Sequence, residues 1–342
     1  MKQIAILLLI PAIVPAASLE LVAGGGSMAA GAPALQVRFV EPFAVAFDRA
    51  GNYYVCEFKG QRVVLVDKAG HTKIAAGTGE MSYSGDGGPA NQAALHDPHG
   101  IVISRQQQMY IADTHNNRVR KVDLKSGRIE TIAGNGTAGF SGDGGPALEA
   151  TFHGIFGLDI NSAGDRLYLA DLSNRRIRMV DLKKGTVTTV AGNGDKAVPV
   201  EGALAAQSPL VDPRAVAVGK NGEVYILERG GNALRMVDGA GRIHTLIAPG
   251  QLSLDLKGPK HLTVDDQGDV IIADAENHLV RKYSPRTKTT VTVAGSGAQG
   301  SQIAAGDPLQ SQLSRPHGVT VHPSGDLYIS DSYNHRILRL RR

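Results

Sequence analysis

A short apolar strand that ends in an acidic residue recurs six times along the chain, and this repeat constrains the fold more than any other sequence feature. The six acids are Glu57, Asp113, Asp171, Glu228, Asp274 and Asp331. Successive acids are separated by 56, 58, 57, 46 and 57 residues, so one interval is contracted. A period of this length over 342 residues predicts one closed array of similar units rather than several independent domains.

Each copy contains four short strands separated by turn residues. In the second copy the strands are expected at 100–103, 110–113, 118–123 and 129–134. Four short strands joined by tight turns are typical of one antiparallel blade, and no long segment has the helical period. The apolar first and second strands indicate burial between blades, whereas alternating Arg and Lys in the third strand indicate a half-exposed strand.

The residues that follow the acids resemble the NHL repeat. An Asn lies three positions after the acid and an Arg five positions after it, with a second Arg two positions further on in two copies. These residues are Asp113, Asn116, Arg118 and Arg120; Asp171, Asn174, Arg176 and Arg178; and Asp331, Asn334 and Arg336. The resemblance extends over essentially the whole chain after its first residues. It implies an all-β fold, a six-bladed β-propeller of four-stranded antiparallel blades.

Counting strands predicts how the ring closes. The sixth copy supplies three strands, at 318–322, 327–331 and 336–342, and lacks a fourth. Residues 19–24, near the other end of the sequence, resemble the fourth strand of the third copy at 188–192. We therefore expect the N-terminal strand to complete the last blade, which removes an open sheet edge.

Residues 1–17 have the pattern of a secretory signal peptide: a positive start at Lys2, an apolar run, and small residues before Ser18. The expected organisation is a signal peptide at 1–17 and a single propeller domain at 18–342, secreted or periplasmic, without a membrane span, and monomeric. Cys56 is the only cysteine, so no intrachain disulfide can form. The net charge of +4, or +3 without Lys2, is too small to predict nucleic-acid binding.

The acids of the repeat are expected to be structural. A catalytic group breaks the symmetry of a repeat, whereas these carboxylates occur at the same place in every copy. We expect each of them to cap a turn or to pair with an arginine such as Arg120, Arg178 or Arg281.

Functional residues are instead expected where the copies differ from one another. Propeller ligands are expected at a mouth of the central channel, near the starts of the inner strands. From the Ala-Gly that ends one blade to the next inner strand, four connections each span 21 residues. In this register the residues that directly follow the position of the Pro are Phe43, His99, Phe156, Arg214, Lys260 and His317. These six side chains predict a positively charged, partly apolar cup at one channel mouth.

Three functions are compatible with this cup. The zinc-dependent amidating lyases are similar to the NHL family and place three histidines in alternate blades, but the corresponding residues here are His99, Arg214 and His317. An arginine cannot ligate zinc, so this set lacks one ligand. A resemblance to calcium-dependent propeller lactonases instead directs attention to acids before the Pro, namely Glu41, Asp97 and Asp212.

The third function is binding without chemistry, and it needs no cofactor. Arg214, Lys260 and partly protonated histidines would hold an anionic group, such as the carboxylate of a peptide or of a sugar acid. The rim of the propeller is an alternative platform for a protein partner. No nucleophile with an adjacent base stands out, so the sequence leaves open whether the protein is an enzyme.

Overall fold

The computed structural model describes residues 17–342 and contains six four-stranded antiparallel sheets in that part of the chain. The expected signal peptide lies outside the described residues, except for residue 17. Within them, no helix is both long enough and apolar enough to cross a bilayer. The sheets are the blades of a propeller, and the predicted number of blades and of strands per blade is confirmed.

Blades 1 to 3 are formed by consecutive strands. They comprise β2 (Pro42–Phe47), β3 (Tyr53–Glu57), β4 (Arg62–Val66) and β5 (Thr72–Ala76); β6 (Ile101–Ile103), β7 (Gln108–Asp113), β8 (Arg118–Asp123) and β9 (Ile129–Ala133); and β10 (Ile155–Ile160), β11 (Arg166–Asp171), β12 (Arg176–Asp181) and β13 (Thr186–Ala191).

Blades 4 and 5 have the same order, and blade 6 combines both ends of the described chain. They comprise β14 (Pro213–Val218), β15 (Val224–Glu228), β16 (Ala233–Val237) and β17 (Ile243–Ile247); β18 (His261–Val264), β19 (Val270–Asp274), β20 (Leu279–Ser284) and β21 (Thr289–Ala294); and β22 (Gly318–Val321), β23 (Leu327–Asp331), β24 (Arg336–Arg341) and β1 (Ser18–Gly24). Short 3₁₀ helices lie at Ala90–Gln92, Thr114–Asn116, Ala205–Gln207, Ala275–Asn277, Pro308–Gln310 and Ser332–Asn334.

Strand β1 closes the ring, as the strand count predicts. It pairs antiparallel with β24, placing Leu19 opposite Leu340 and Leu21 opposite Leu338. Leu19 is buried in the core between blades 5 and 6, whereas Leu21 is partly exposed. The strand therefore contributes both main-chain hydrogen bonds and apolar contacts to the last blade.

The hydrophobic core is distributed between neighbouring blades. Met109 and Ile111 of β7, for example, belong to the same buried cluster as Ala44 and Ala46 of β2. The acid-terminated strands of blades 1, 4, 5 and 6 are buried at every residue, in agreement with their apolar sequence. Burial of each such Val, Leu or Ile side chain contributes roughly 1.5–3 kcal/mol, so stability comes from packing between blades.

Glycine permits the close approach of the inner strands around the channel. A Cβ at Gly318 would lie 2.3 Å from the Phe43 carbonyl oxygen, and one at Gly157 would lie 2.8 Å from the Ala215 Cα. Blade 5 carries His261 at the equivalent position. This histidine is a local departure from the repeat in the wall of the channel.

Candidate functional site

The six predicted side chains converge at one end of the channel, and we call them the channel-mouth ring: Phe43, His99, Phe156, Arg214, Lys260 and His317. A backbone feature positions them. The residue two places earlier has a positive φ of 46–74° in five of the six blades, at Glu41, Asp97, Gly154, Gly258 and Arg315. In blades 1, 3 and 4 the ring residue is also the extra residue of a β-bulge, which redirects a side chain from the regular alternation.

Aromatic rings form a continuous stack through one half of the channel-mouth ring. The Phe43 ring stacks on His317 with centroids 4.0 Å apart, and its centroid lies 5.2 Å from that of His99. His99 meets Phe156 edge-on at 4.3 Å. Because four of the six side chains are buried by these contacts and by their neighbours, the ring forms a packed floor at this end of the channel. Phe156 and Lys260 remain partly exposed.

The two histidines of the ring are neutral, which corrects the expectation of partial protonation. Burial, followed by the nearby Arg214 guanidinium, lowers the pKa of both His99 and His317 well below the usual value. Each Nδ1–H donates to a backbone carbonyl oxygen at 2.9 Å, that of Asp97 for His99 and that of Arg315 for His317. Both Nε2 atoms are therefore unprotonated bases.

The positive charge of the ring comes from blades 4 and 5. The Arg214 guanidinium lies 4.2 Å above the Phe156 ring and is 6% exposed. Among residues 17–342 it has no hydrogen-bond or ion-pair partner, whereas Lys260 lies 3.6 Å from Glu276. Burial and the neighbouring Arg229 lower the pKa of Arg214 to about 9. Burial and Arg214 lower the pKa of Lys260 to about 8.

Side chains after the acid-terminated strands surround the ring, and the sequence analysis missed them. Phe58 stacks on Phe43 at 4.6 Å, with Lys59 above it, and Arg229 pairs with Asp212 at 3.0 Å. A signal was available, since the residue after the acid differs in every blade. That position is occupied by Phe58, Thr114, Leu172, Arg229, Ala275 and Ser332.

The repeated acids are structural, as predicted. Each is fully buried and accepts a backbone N–H from 17 or 18 residues earlier at 2.5–2.8 Å, the donors being Val40, His96, His153, Val211, Lys257 and Ser314. Each also pairs with a third-strand arginine, namely Arg62, Arg120, Arg178, Arg235, Arg281 and Arg336. The hydrogen bond to the acid links the segment before the first strand of a blade to the end of its second strand, and the ion pair links the second strand to the third.

The expectation that the third strand is half-exposed is wrong at its central arginines. Arg120 and Arg178 are completely buried. Each lies between two carboxylates: Arg120 contacts Asp86 at 2.7 Å and Asp113 at 3.2 Å, and Arg178 contacts Asp143 at 2.8 Å. A buried guanidinium requires such partners, and the arginines therefore belong to the structural framework.

The carboxylates that the lactonase resemblance selects are not gathered into one metal cluster. Asp212 pairs with Arg229, and the Glu41 backbone N–H lies 3.4 Å from His335 Nδ1. Asp97 instead lies beside His96 and His115, the one group of three acidic or imidazole ligands found within 4.8 Å in the described part of the chain. His99 and His317 do not belong to a three-ligand group there, because Arg214 occupies the third position.

Beyond the ring, the inner strands enclose a channel cavity of about 240 Å³ lined by groups that include Asp159, His261, Thr263 and Thr320. Burial raises the pKa of Asp159 to about 6, and this carboxylate accepts the Val218 N–H at 2.8 Å. Burial lowers the pKa of His261 to about 4. The channel is therefore polar at these blades, although its walls are mostly apolar.

Comparison with known proteins supports the repeat assignment. A sequence model of the NHL repeat matches residues 95–122, 256–283 and 313–340, which contain the acid-terminated strands of blades 2, 5 and 6. NHL repeat-containing protein 2 of Homo sapiens is 26% identical over 324 residues, covering 81% of this chain and 44% of the relative. The chain thus spans less than half the length of that relative.

Solved structures with the same fold include a binding protein and an enzyme. An auxiliary nutrient binding protein from Bacteroides thetaiotaomicron superposes with a TM-score of 0.67 at 13% identity, covering 95% of this chain and 76% of that one. Virginiamycin B lyase from Staphylococcus aureus superposes with a TM-score of 0.56, also at 13% identity, covering 95% and 86%. At this identity the likeness establishes the fold alone.

Proposed function

We propose that this chain, a six-bladed β-propeller built from NHL repeats, binds an anionic ligand over the channel-mouth ring. The observation that carries the proposal is the unpaired Arg214 guanidinium, buried to 6% exposure. The other buried arginines in the third strands each face a carboxylate. A buried cation without a partner is costly, and a ligand anion would supply the missing charge.

The surroundings of Arg214 strengthen the local positive potential. Four cations lie close enough to affect the pKa values of Arg214 or Lys260: these two residues themselves, Arg229 and Arg315. The carboxylates near them are Asp212 and Glu276. Burial is the main cause of the lowered pKa values of Arg214 and Lys260, and the neighbouring cations lower both values further. A carboxylate or phosphate can accept from guanidinium and ammonium donors together.

The other half of the ring favours a ligand with a planar apolar part. Phe156 lies beneath the guanidinium and is partly exposed, and Phe58 extends the stack above Phe43. A flat aromatic or otherwise apolar body can stack on such rings while its anionic group faces blades 4 and 5. We therefore favour an aromatic or amphiphilic small anion, or a peptide carboxylate, over a purely polar sugar acid.

A thermal-shift titration of the purified protein tests this proposal. Benzoate and phenyl phosphate should raise the melting temperature more than acetate or gluconate; the Arg214→Met variant should lose the shift, and the Lys260→Gln variant should show a smaller one. Lys220→Ala removes an exposed cation that pairs with Asp266 and serves as the control. If Arg214→Met keeps the wild-type shifts, the anion does not bind at the ring.

Phe58→Ala separates the two parts of the ligand. The variant should bind benzoate more weakly, because a stacking contact is worth about 0.5–1.5 kcal/mol beyond its buried area. Its response to inorganic sulfate should be unchanged, since the cations remain. Equal responses of variant and wild type to benzoate would exclude the aromatic half of the proposed site.

Acid–base catalysis is the second candidate function. The Nε2 atoms of His99 and His317 are unprotonated in the buried ring, and a neutral imidazole beside cations can remove a proton from a bound anion. The fold is shared with a lyase, virginiamycin B lyase, which makes an elimination reaction a reasonable class to assay. Conversion of a bound ligand that is lost in both His99→Gln and His317→Gln would favour this candidate over binding alone.

The location of the protein outside the cytoplasm is also proposed from its sequence. The signal-peptide pattern at 1–17 favours export, so the ligand would be met outside the cytoplasm. Fractionation of the native host with an antibody against the propeller tests this. Protein found only in the cytoplasm, with residues 1–17 retained, would contradict it.

A further inference from the structure

A group of potential metal ligands lies beside the ring at the start of blade 2. His96 and Asp97 precede β6, and His115 follows β7 in a 3₁₀ helix. One ligand atom from each residue lies within 4.8 Å of the other two. We call these three residues the blade-2 cluster. It is separate from the anion site, which depends on Arg214 and Lys260.

The carboxylate of the cluster is held in place by its neighbours. Asp97 is 4% exposed and has a positive φ of 49°. The Gln61 side-chain amide donates to Asp97 Oδ1 at 2.7 Å, while its oxygen accepts the Asp97 N–H at 2.5 Å. This leaves Oδ2 directed at His115, whose Nδ1 lies 3.0 Å away. Fixed outer partners of this kind orient the ligands of metal sites.

The imidazoles are also well placed. The His96 backbone N–H donates to Asp113 Oδ1 at 2.8 Å, which fixes the main chain at this residue. The centroids of the His96 and His115 rings lie 5.1 Å apart, and the ring planes make an angle of 70°. Ligands about 2.0–2.2 Å from a zinc ion stand roughly 3–3.5 Å from each other. The pair formed by His115 and Asp97 already has this spacing, and rotation of the half-exposed His115 would bring in His96.

We propose that the blade-2 cluster binds a divalent transition metal such as Zn²⁺, through two imidazoles and one carboxylate. Two imidazoles suit zinc, copper or nickel, whereas calcium and magnesium prefer oxygen ligands alone. The exposed side of His115 leaves the remaining coordination positions open to water or to a further ligand. The chain itself thus supplies three ligands of a site at the edge of the ring.

A lysine competes with the metal for the carboxylate. Lys59 Nζ lies 3.2 Å from Asp97 Oδ2, but its side chain is 44% exposed and can turn outward. A bound divalent ion would take its place and provide a larger positive charge. The proposal therefore predicts that removal of the ammonium group strengthens metal binding, which a merely structural cluster does not predict.

The neighbouring blade supplies a matched control. His153 is the equivalent of His96. Its backbone N–H donates to Asp171 at 2.8 Å, just as the backbone N–H of His96 donates to Asp113. The residues there that correspond to Asp97 and His115 are Gly154 and Ser173, so blade 3 has one of the three ligands. Substitution of His153 removes an imidazole without touching the cluster.

The test uses the full-length protein after removal of metals by a chelator. Titration with Co²⁺, followed by visible absorption, and calorimetry with Zn²⁺ should show one equivalent bound. His115→Ala and Asp97→Asn should weaken binding at least tenfold, His153→Ala should leave it unchanged, and Lys59→Met should tighten it severalfold. Circular dichroism and the melting temperature check that each variant is folded.

Three results would overturn the proposal. The first is that the folded wild-type protein binds no Co²⁺ or Zn²⁺ at micromolar concentration. The second is that His153→Ala weakens binding as much as His115→Ala. The third is that Lys59→Met binds the metal no better than the wild type. Anion binding, measured by the benzoate shift, reports separately on Arg214 and distinguishes failure of this site from failure of the proposed function.

Discussion

Two buried arginines of blade 4 should respond in opposite ways to the same substitution. Arg235 is 2% exposed, and both its Nε and Nη2 donate to Glu228 Oε2, at 3.0 and 2.8 Å. Arg214 is 6% exposed and has no such partner in the described chain. We predict that Arg235→Met destabilises the protein and that Arg214→Met stabilises it in the absence of ligand.

The magnitudes follow from the charges that each change leaves behind. Arg235→Met leaves the fully buried Glu228 carboxylate without its ion-pair partner, which costs about 3–5 kcal/mol. For Arg214, a fall in the pKa from above ~12 to about 9 corresponds to an unfavourable burial on the order of 4–5 kcal/mol for the charged form. Loss of its contact with Phe156 offsets up to about 2 kcal/mol. A net gain of roughly 2–3 kcal/mol is expected when this contact is lost in full.

Urea unfolding at pH 7, in a buffer without multivalent anions, measures both effects. The unfolding midpoint should rise for Arg214→Met and fall for Arg235→Met, and added sulfate should narrow the difference between wild type and Arg214→Met. A midpoint that falls for both variants would show that Arg214 has a protein partner. The reasoning from an unpaired cation would then be wrong.

The other expectations are specific to single positions. Affinity for benzoate should fall as the pH rises from 7 to 9, because Lys260, with a pKa of about 8, loses its proton; in Lys260→Gln, calorimetry should find this dependence largely gone. Leu19→Ala should lower the free energy of unfolding by about 2–4 kcal/mol, and Leu21→Ala, at a partly exposed position of the same strand, by less than half as much; equal losses would argue against closure of the ring by β1. Burial raises the pKa of Asp159 to about 6 in the folded protein, above about 3.9 in the unfolded chain, so the folded state binds this proton more tightly and the contribution of Asp159 to stability should rise as the pH falls from 7 to 4. Asp159→Asn should remove about 1–2 kcal/mol of that rise, since part of the side chain faces the channel cavity, and unchanged pH profiles would contradict it.

The architecture could be predicted because it depends on local pattern and counting. Acid-terminated strands such as 110–113 mark the second strand of each blade, and the missing fourth strand of blade 6 directs attention to residues 19–24. The 21-residue spacing that four connections share also helped to locate the six ring positions. Periodicity transfers from one copy to the next, so a single sequence contains several aligned observations of the same unit.

The electrostatic state of the site could not be predicted in the same way. Whether His99 is protonated depends on how Phe43 and Phe156 pack around it, and this packing is a tertiary property. The burial of Arg120 likewise depends on Asp86, which lies 34 residues earlier in a connecting loop. Alternating charged residues in a strand look solvent-exposed when such long-range partners are unknown.

The distribution of charge distinguishes the framework of the propeller from its candidate site. Acids and arginines that recur in every blade neutralise each other in place, as Asp331 and Arg336 do at 2.7 Å, and such pairs hold the blades without attracting a ligand. At the ring the repeat imposes the same backbone position but not the same residue. Arg214 is buried there without an ion-pair partner in the described chain, because the nearby Asp212 carboxylate pairs with Arg229. Because the fold is stabilised elsewhere by packing between blades, this one position can carry an uncompensated charge. An uncompensated buried charge beside stacked aromatic rings is what a site for an aromatic anion requires.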